Sequence, residues 1–318
     1  MRVLFAGTPE IAVPALRLLA EHHTVVGVLT TPNRPTGRGR LVEASAVGAV
    51  AAALGIPILQ PERLDREARQ LVGELDPEIL VCVAYGKIFG PRFLALFPAG
   101  GINMHPSLLP RYRGPAPIPA AILAGDDVTG VTVQALAEEM DAGDLFFQTR
   151  IPLSGNETSA SLTELCASIG ARAVLSVVDA IEAGSAERLA QEHQHASYTH
   201  IIGKEDGRID WSRDALHIQR MVRAFYPWPL AFTDFRDQRL NILDAAIVAD
   251  PEGDAADPVL NRHSPGKIMG VDKTAGILVQ TGNGTLSVRK LQLQNRKPLD
   301  WKSFVNGVRD LPGSFFGG

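Results

Sequence analysis

A chain of 318 residues exceeds the usual span of one domain, so two domains are expected. With 45% hydrophobic and 21% charged residues it can bury full cores, and a formal net charge of -4 gives no global pull toward nucleic acid. The charge is uneven, however: residues 281–318 hold six Lys and Arg against two Asp and Glu, a local basic patch able to meet a polyanion.

The elements follow in chain order. Residues 2–7 (RVLFAG) read as a buried strand, followed by a turn at Gly7-Thr8-Pro9 and a helix to about Glu21 with proline in its first turn. A second strand is predicted over 24–30, and a small-residue helix over 42–55 closed by Gly55. A short strand at IPILQ, a helix over 65–75 and strands at 78–84 and 100–104 come next. Residues 128–136 and 144–153 form a closing strand pair, and a long helix spans about 158–183.

Runs such as ILVCVA are apolar on both faces, as a sheet covered by helices on each side requires. The fold class expected is therefore α/β, an open, mostly parallel, Rossmann-like sheet over residues 1–204. Ligands of such sheets sit beyond the carboxyl ends of the strands. A polar, weakly patterned linker covers 182–211, and a short helix is predicted near 213–224. Five short strands after it suggest a small barrel or sandwich over 205–318, with Trp211, Trp228 and Trp301 in its core.

Cys82 and Cys166 lack paired spacing and fit a reducing compartment. The opening hydrophobic run is too short for a signal peptide, and no stretch reaches membrane-spanning length. A soluble, cytoplasmic protein without a membrane partner is expected.

The Gly7-Thr8-Pro9 turn carries one glycine where a dinucleotide fingerprint needs three, and no Walker lysine follows. The densest polar cluster lies at 100–122. Asn103 and His105 alternate with Ile102 and Met104 at a strand end, so they share a face. Pro106 extends the backbone at the histidine, and Pro110, Pro115, Pro117 and Pro119 stiffen the loop beyond. A histidine there can satisfy a backbone carbonyl as readily as do chemistry. Asp141, in the EEMDAGD loop, adds a carboxylate that one helix and one strand can return to the same sheet edge.

An amide, an imidazole and a carboxylate supply an oxyanion donor, a proton carrier and an orienting anion. That set suits acyl-type transfer to an amine without a Ser or Cys nucleophile. Glu138, Glu139 and Asp144 read as solvated loop charges. No metal is expected, since His193 and His195 fall in a polar linker without further ligands at usable spacing. The segment TTPNRPTGRGR (30–40) carries Arg34, Arg38 and Arg40 without an acid. It reads as a mobile loop, either a solvated connection or a segment that orders on a polyanion.

INMHPSLLPRYRG followed by GVTVQALAEEMDAGD resembles the signature of the folate-dependent formyltransferases. VLFAGTPEIAVPAL, TTPNRPTGRGR, VAYGKI, GKEDGRIDW and AFYPWP extend the resemblance through nearly the whole chain. It is closest to the branch acting on charged initiator tRNA. Pro119 stands where that pattern has glutamine, and Tyr226 where asparagine is commoner.

The resemblance implies that 10-formyltetrahydrofolate is the donor and the α-amino group of initiator methionyl-tRNA the acceptor. Asn103, His105 and Asp141 would be catalytic. Ser107, Leu108, Leu109 and Pro110 would contact the folate, and Tyr85, Gly86 and Ile88 would form the pterin pocket through backbone groups and apolar walls. Arg34, Arg38 and Arg40 with Arg289, Lys290, Arg296, Lys297 and Lys302 would meet the tRNA phosphates. The C-terminal part would be an OB-like barrel and the enzyme a monomer. The alternative kept open is a formyltransferase acting on an amino-sugar nucleotide.

Overall fold

A computed structural model describes residues 1–36, 41–248 and 264–317. In chain order the first half runs β1 (Arg2–Gly7), α1 (Val13–His22), β2 (Thr24–Leu29), β3 (Arg34–Thr36) and β4 (Leu41–Glu43). Next come α2 (Ala46–Ala53), β5 (Ile58–Leu59), α3 (Arg66–Glu74), β6 (Ile79–Val83) and α4 (Pro91–Leu94). β7 (Gly101–His105), α5 (Pro117–Ala124), β8 (Val128–Ala135), β9 (Leu145–Pro152) and α6 (Ser159–Glu182) complete it. The second half contains α7 (Ala215–Ala224), β10 (Ala231–Phe235), β11 (Gln238–Ile247), β12 (Ile268–Asp272) and β13 (Gly276–Gln280). β14 (Thr285–Leu293), β15 (Leu299–Asp300) and α8 (Trp301–Asn306) follow.

The chain divides into two compact units. The first comprises Met1–Pro117, Val128–Leu153 and Ser161–His200. Its seven-stranded sheet has the order β5-β2-β1-β6-β7-β8-β9. The pairs from β5 to β7 are parallel, and β8 and β9 are antiparallel additions, as the closing pair predicted. The chain reverses its order of strand addition between β1 and β6, so the carboxyl ends there and at β7 open the crevice of a Rossmann-like sheet. β6 is buried along its whole length. Tyr85, Phe89, Phe93 and Phe97 pack below it with Leu4, Leu29, Val72 and Leu80 in one cluster.

Two expectations change here. The helix predicted over 42–55 begins later, because Leu41–Glu43 pairs antiparallel with Arg34–Thr36 and Ser45 then caps α2 by accepting from Gly48 N at 2.9 Å. The arginine-bearing segment, expected as a mobile loop, thus has two short strands at its ends; Arg38 and Arg40 lie outside the described residues.

The second unit holds Ile201–Gly318 together with Ile118–Asp127 and Ser154–Ala160. The two inserted segments are bound to α7 by backbone acceptors. Arg220 donates to Ala124 O at 3.1 Å, Arg223 to Glu157 O at 2.8 Å and Ser159 Oγ to Ala224 O at 2.5 Å. Ala160 N donates to the carbonyl of Tyr226 at 3.2 Å, so this residue, unusual for its motif, contributes backbone while its ring is partly exposed. Pro119 falls in the first turn of α5, where its missing N–H has no partner to lose.

The sheet of this unit is antiparallel in the order β10-β11-β14-β13-β12, with β15 on β14. The C-terminal segment spans its two ends: Gly313 N and Phe316 N donate to Ile268 O and Gly266 O, and Gly317 N donates to Asp234 O, each at 2.8 Å. Trp211 is buried against Phe316, whereas Trp228 is 55% exposed, contrary to its expected core place. It sits between Pro227 and Pro229 in the turn leading to β10, outside any strand that could carry it inward.

Candidate active site

β7 delivers Asn103 and His105 to the crevice, with the alternate residues Ile102 and Met104 buried. The flanking strands fill the same rows. Cys82 of β6 and Gln134 of β8 stand opposite Asn103, and Thr132 stands opposite His105. Residues opposite one another in a sheet share a face. Asp141 arrives from the turn between β8 and β9, and the three expected residues meet. Its Oδ2 lies 3.6 Å from His105 Nδ1, and its Oδ1 accepts from Asn103 Nδ2 at 3.4 Å.

Two further donors hold this carboxylate: Gln134 Nε2 to Oδ1 at 2.9 Å and Gly114 N to Oδ2 at 2.8 Å. The backbone of Asp141 is left-handed, with φ of 54°. Such a conformation costs a non-glycine residue roughly 1–3 kcal/mol and persists only where surrounding contacts impose it. Two glycines permit the close approach. A Cβ at Gly143 would lie 2.0 Å from Ala135 O, and Gly114, at φ of 99°, would place one 2.8 Å from Thr199 O.

His105 performs both roles that its position allowed. Nε2 lies 2.8 Å from Tyr112 O, and a carbonyl only accepts, so Nε2 carries hydrogen. Nδ1 is left facing the Asp141 carboxylate.

Ser107–Pro110, expected at the folate, is pinned to the sheet. Thr132 Oγ1 donates to Ser107 O at 2.7 Å and accepts from Leu109 N at 3.3 Å. Gln148 Nε2 reaches Leu109 O at 2.9 Å and Thr132 Oγ1 at 3.0 Å, and Ser107 Oγ donates to Arg111 O at 2.7 Å. Leu109 is buried, and Leu108 and Pro110 are half-buried.

Of the three expected pterin-pocket residues, Ile88 is 71% exposed and Gly86 is exposed. The Tyr85 ring turns into the core and stacks on Phe89, so a ligand would meet this residue only through its backbone. Burial pushes the Tyr85 phenol up to about 12. It does the same to the Cys82 thiol, with the Asp141 charge adding to the rise and a bond from the Tyr85 backbone opposing it.

The sequence reading passed over several residues that complete this region. Arg113 is 1% exposed, and its guanidinium meets Gln191 Oε1 at 2.8 Å, His193 Nδ1 at 3.0 Å, Tyr198 Oη at 2.9 Å and Glu139 at 3.3 Å. Glu139 is therefore not merely a solvated charge. His193, weighed earlier as a metal ligand, presents a ring nitrogen to a cation instead. Gln191 lies in what read as a linker; residues 189–199 in fact bridge to Leu145 and Arg113 along the site. Gln134 and Thr132 alternate with Val131 and Val133 along β8, and the pairing of β8 with β7 sets them on the face of Asn103 and His105.

Of the basic residues expected at tRNA, Arg34 begins β3 in the first unit and Arg38 and Arg40 lie outside the described residues; the others occupy the second unit. Arg289 and Lys290 are exposed where the pairing of β14 with β11 is irregular, and Asp244 and Asp300 are the cross-strand neighbours of Lys290. Arg296 and Lys297 are exposed in the following turn; Lys302 lies over the Trp301 ring at 5.4 Å. Among the described residues no helix is long and apolar enough to cross a membrane.

The formyl transferase family matches residues 1–178, and the formyl transferase C-terminal domain matches residues 201–309. A methionyl-tRNA formyltransferase of Treponema denticola is 46% identical over 324 residues, covering 99% of each chain. Among solved structures, methionyl-tRNA formyltransferase from Clostridium thermocellum aligns with a TM-score of 0.57 at 17% identity, over 80% of this chain and 95% of that one. An N-formyltransferase of Helicobacter canadensis, solved with folinic acid and dTDP-3-aminofucose, aligns with a TM-score of 0.64 at 18% identity, over 91% and 98%. The two solved structures speak for the fold alone; full-length identity over both matched regions speaks for more. The chain belongs to the methionyl-tRNA formyltransferase family.

Proposed function

We propose that the protein transfers a formyl group from 10-formyltetrahydrofolate to the α-amino group of methionine on initiator tRNA, as a cytoplasmic monomer. The observation that carries this reading is the 46% identity to a methionyl-tRNA formyltransferase across the whole chain. The meeting of Asn103, His105 and Asp141 in one crevice supports it. The amine attacks the formyl carbon, forming a new C–N bond while negative charge develops on the formyl oxygen. Asn103 donates to that oxygen. The attacking nitrogen loses a proton, and the folate nitrogen gains one as its bond to the formyl carbon breaks. Asp141 orients the His105 ring, which passes a proton toward the folate nitrogen.

Residues 1–204 hold this chemistry, with Ser107–Pro110 and the backbone at Tyr85, Gly86 and Ile88 beside the folate. Residues 205–318 bind tRNA through Arg289, Lys290, Arg296 and Lys297, whose exposed charge suits phosphates. Arg34, Arg38 and Arg40 act with them.

The test is transfer of labelled formyl from formylfolate to charged initiator and elongator tRNAs. Preferential labelling of the initiator is expected. No labelling of methionyl-tRNA ends the reading, and labelling of an amino-sugar nucleotide instead selects the alternative.

A further inference from the structure

Asp141 is strained in its backbone, yet its carboxylate must face His105 in one orientation. What imposes that orientation can be traced atom by atom. Arg113 is a donor only, with its guanidinium buried. Its Nη2 donates to Gln191 Oε1 at 2.8 Å and its Nε to the same oxygen at 3.3 Å. That fixes the Gln191 amide with its nitrogen turned the other way. Gln191 Nε2 then turns its two hydrogens toward three acceptors, Gly143 O at 2.7 Å, Asp141 O at 2.9 Å and Gln134 Oε1 at 3.1 Å, one hydrogen being shared. Gln134 is in turn fixed with its nitrogen toward Asp141 Oδ1, at 2.9 Å. Every link points the same way, from a group that can only donate to a carboxylate that can only accept. A flip of Gln191 would set NH₂ against the guanidinium and oxygen against two carbonyls, and a flip of Gln134 would set NH₂ against the Gln191 NH₂ and oxygen against the Asp141 carboxylate. Hydrogen bonds aligned in series strengthen one another in a low-dielectric interior.

We infer that Arg113, Gln191 and Gln134 form a one-directional hydrogen-bond relay that positions Asp141 against His105, with Gln191 its central positioning residue. Gln191 grips the Asp141 turn twice, at the backbone carbonyls directly and at the carboxylate through Gln134. The relay touches no reacting atom and acts only through Asp141. This rests on the assigned role of Asp141, but not on the identity of the acceptor.

The test is a double-mutant cycle in the full-length enzyme, using Gln191→Leu and Gln134→Leu in the wild-type and Asp141→Asn backgrounds. Misplacing a catalytic group by about 1 Å can cost on the order of 100-fold, so Gln191→Leu is expected to lower kcat roughly 10- to 100-fold, with KM for both substrates within about twofold. Gln134→Leu, which removes one link and leaves Arg113 paired, should lower it less and serves if Gln191→Leu does not fold. In the Asp141→Asn background each change should cost less than about twofold, because the group it positions has been altered. Equal losses in both backgrounds, or an unchanged kcat, overturn the relay.

A crystal structure of either variant gives a readout independent of turnover. The separation of His105 Nδ1 from the residue 141 carboxylate should depart from 3.6 Å, and an unmoved carboxylate overturns the proposal. An inactive wild-type enzyme with a displaced carboxylate in the variant would instead fault the assigned reaction and leave the relay standing.

Discussion

The crevice of the first unit and the basic surface of the second treat charge in opposite ways. In the crevice, Asp141, His105 and Arg113 are mostly or wholly buried, and the aspartate and arginine are each held by several partners at fixed distances. In the second unit Arg289, Arg296 and Lys297 stand exposed on a strand and a turn. Buried polar groups must be matched or they cost stability, and once matched they have one geometry. Exposed cations lose little by standing free and can adapt to a phosphate backbone. Bond-making needs the first kind of order; holding a long polyanion needs only the second.

Substitutions can break that contrast, and the crevice should respond most. Asn103→Ala removes the expected oxyanion donor, worth about 3–4 kcal/mol, so kcat should fall by roughly two to three orders of magnitude in a formyl-transfer assay. A loss below about tenfold would remove Asn103 from the reaction. Thr132→Val leaves Ser107 O and Leu109 N short of a partner inside the sheet, at a cost of about 1–3 kcal/mol. Here KM for the folate is expected to rise about tenfold while KM for the tRNA stays level. A uniform fall in kcat alone would show that Ser107–Pro110 does not touch the donor.

The exposed surface should give gentler answers. Arg296→Ala with Lys297→Ala is expected to raise KM for tRNA a few-fold at unchanged kcat, and to reduce the slope of log affinity against log salt by about 1–2. An unchanged salt slope would detach these residues from the nucleic acid.

Burial alone predicts the smallest effects. Among the described residues Tyr85 Oη has no partner, so Tyr85→Phe should leave thermal stability level or raise it by about 1 kcal/mol or less. A Tm several degrees lower would reveal a bond to the hydroxyl. Cys82 and Cys166, ordinarily at 9.0, and Tyr85, ordinarily at 10.0, are each pushed up to about 12 by burial. Above 9.0 the unfolded chain therefore releases protons that the folded chain keeps. Their contribution is complete below that pH and is lost as pH rises toward 12, so the urea midpoint should fall on the alkaline side of 9.0. A flat midpoint would contradict the burial.

The sheet was legible because its strands are apolar runs and its helices periodic; the long helix and α7 lie where the pattern put them, and five main strands follow α7 as expected. Asn103 and His105 were legible through alternation, and Asp141 through the turn chemistry around Gly143. Gln191 was not, because a glutamine in a polar stretch looks the same whether it faces water or a buried guanidinium. Arg113 reads on paper as one more loop charge, and only tertiary packing makes it buried. Trp228 shows the converse, a large apolar residue that its proline neighbours keep outside.

The C-terminal segment that ties Ile268 to Asp234 carries a consequence for biosynthesis. Without Gly313–Gly317 the outer edge of β12, and the part of β10 beyond its bridge to Arg208, lack backbone partners, and such an edge is the usual template for strand addition by another chain. A chain truncated before Gly313 should therefore leave that edge open and appear in cells chiefly as insoluble protein.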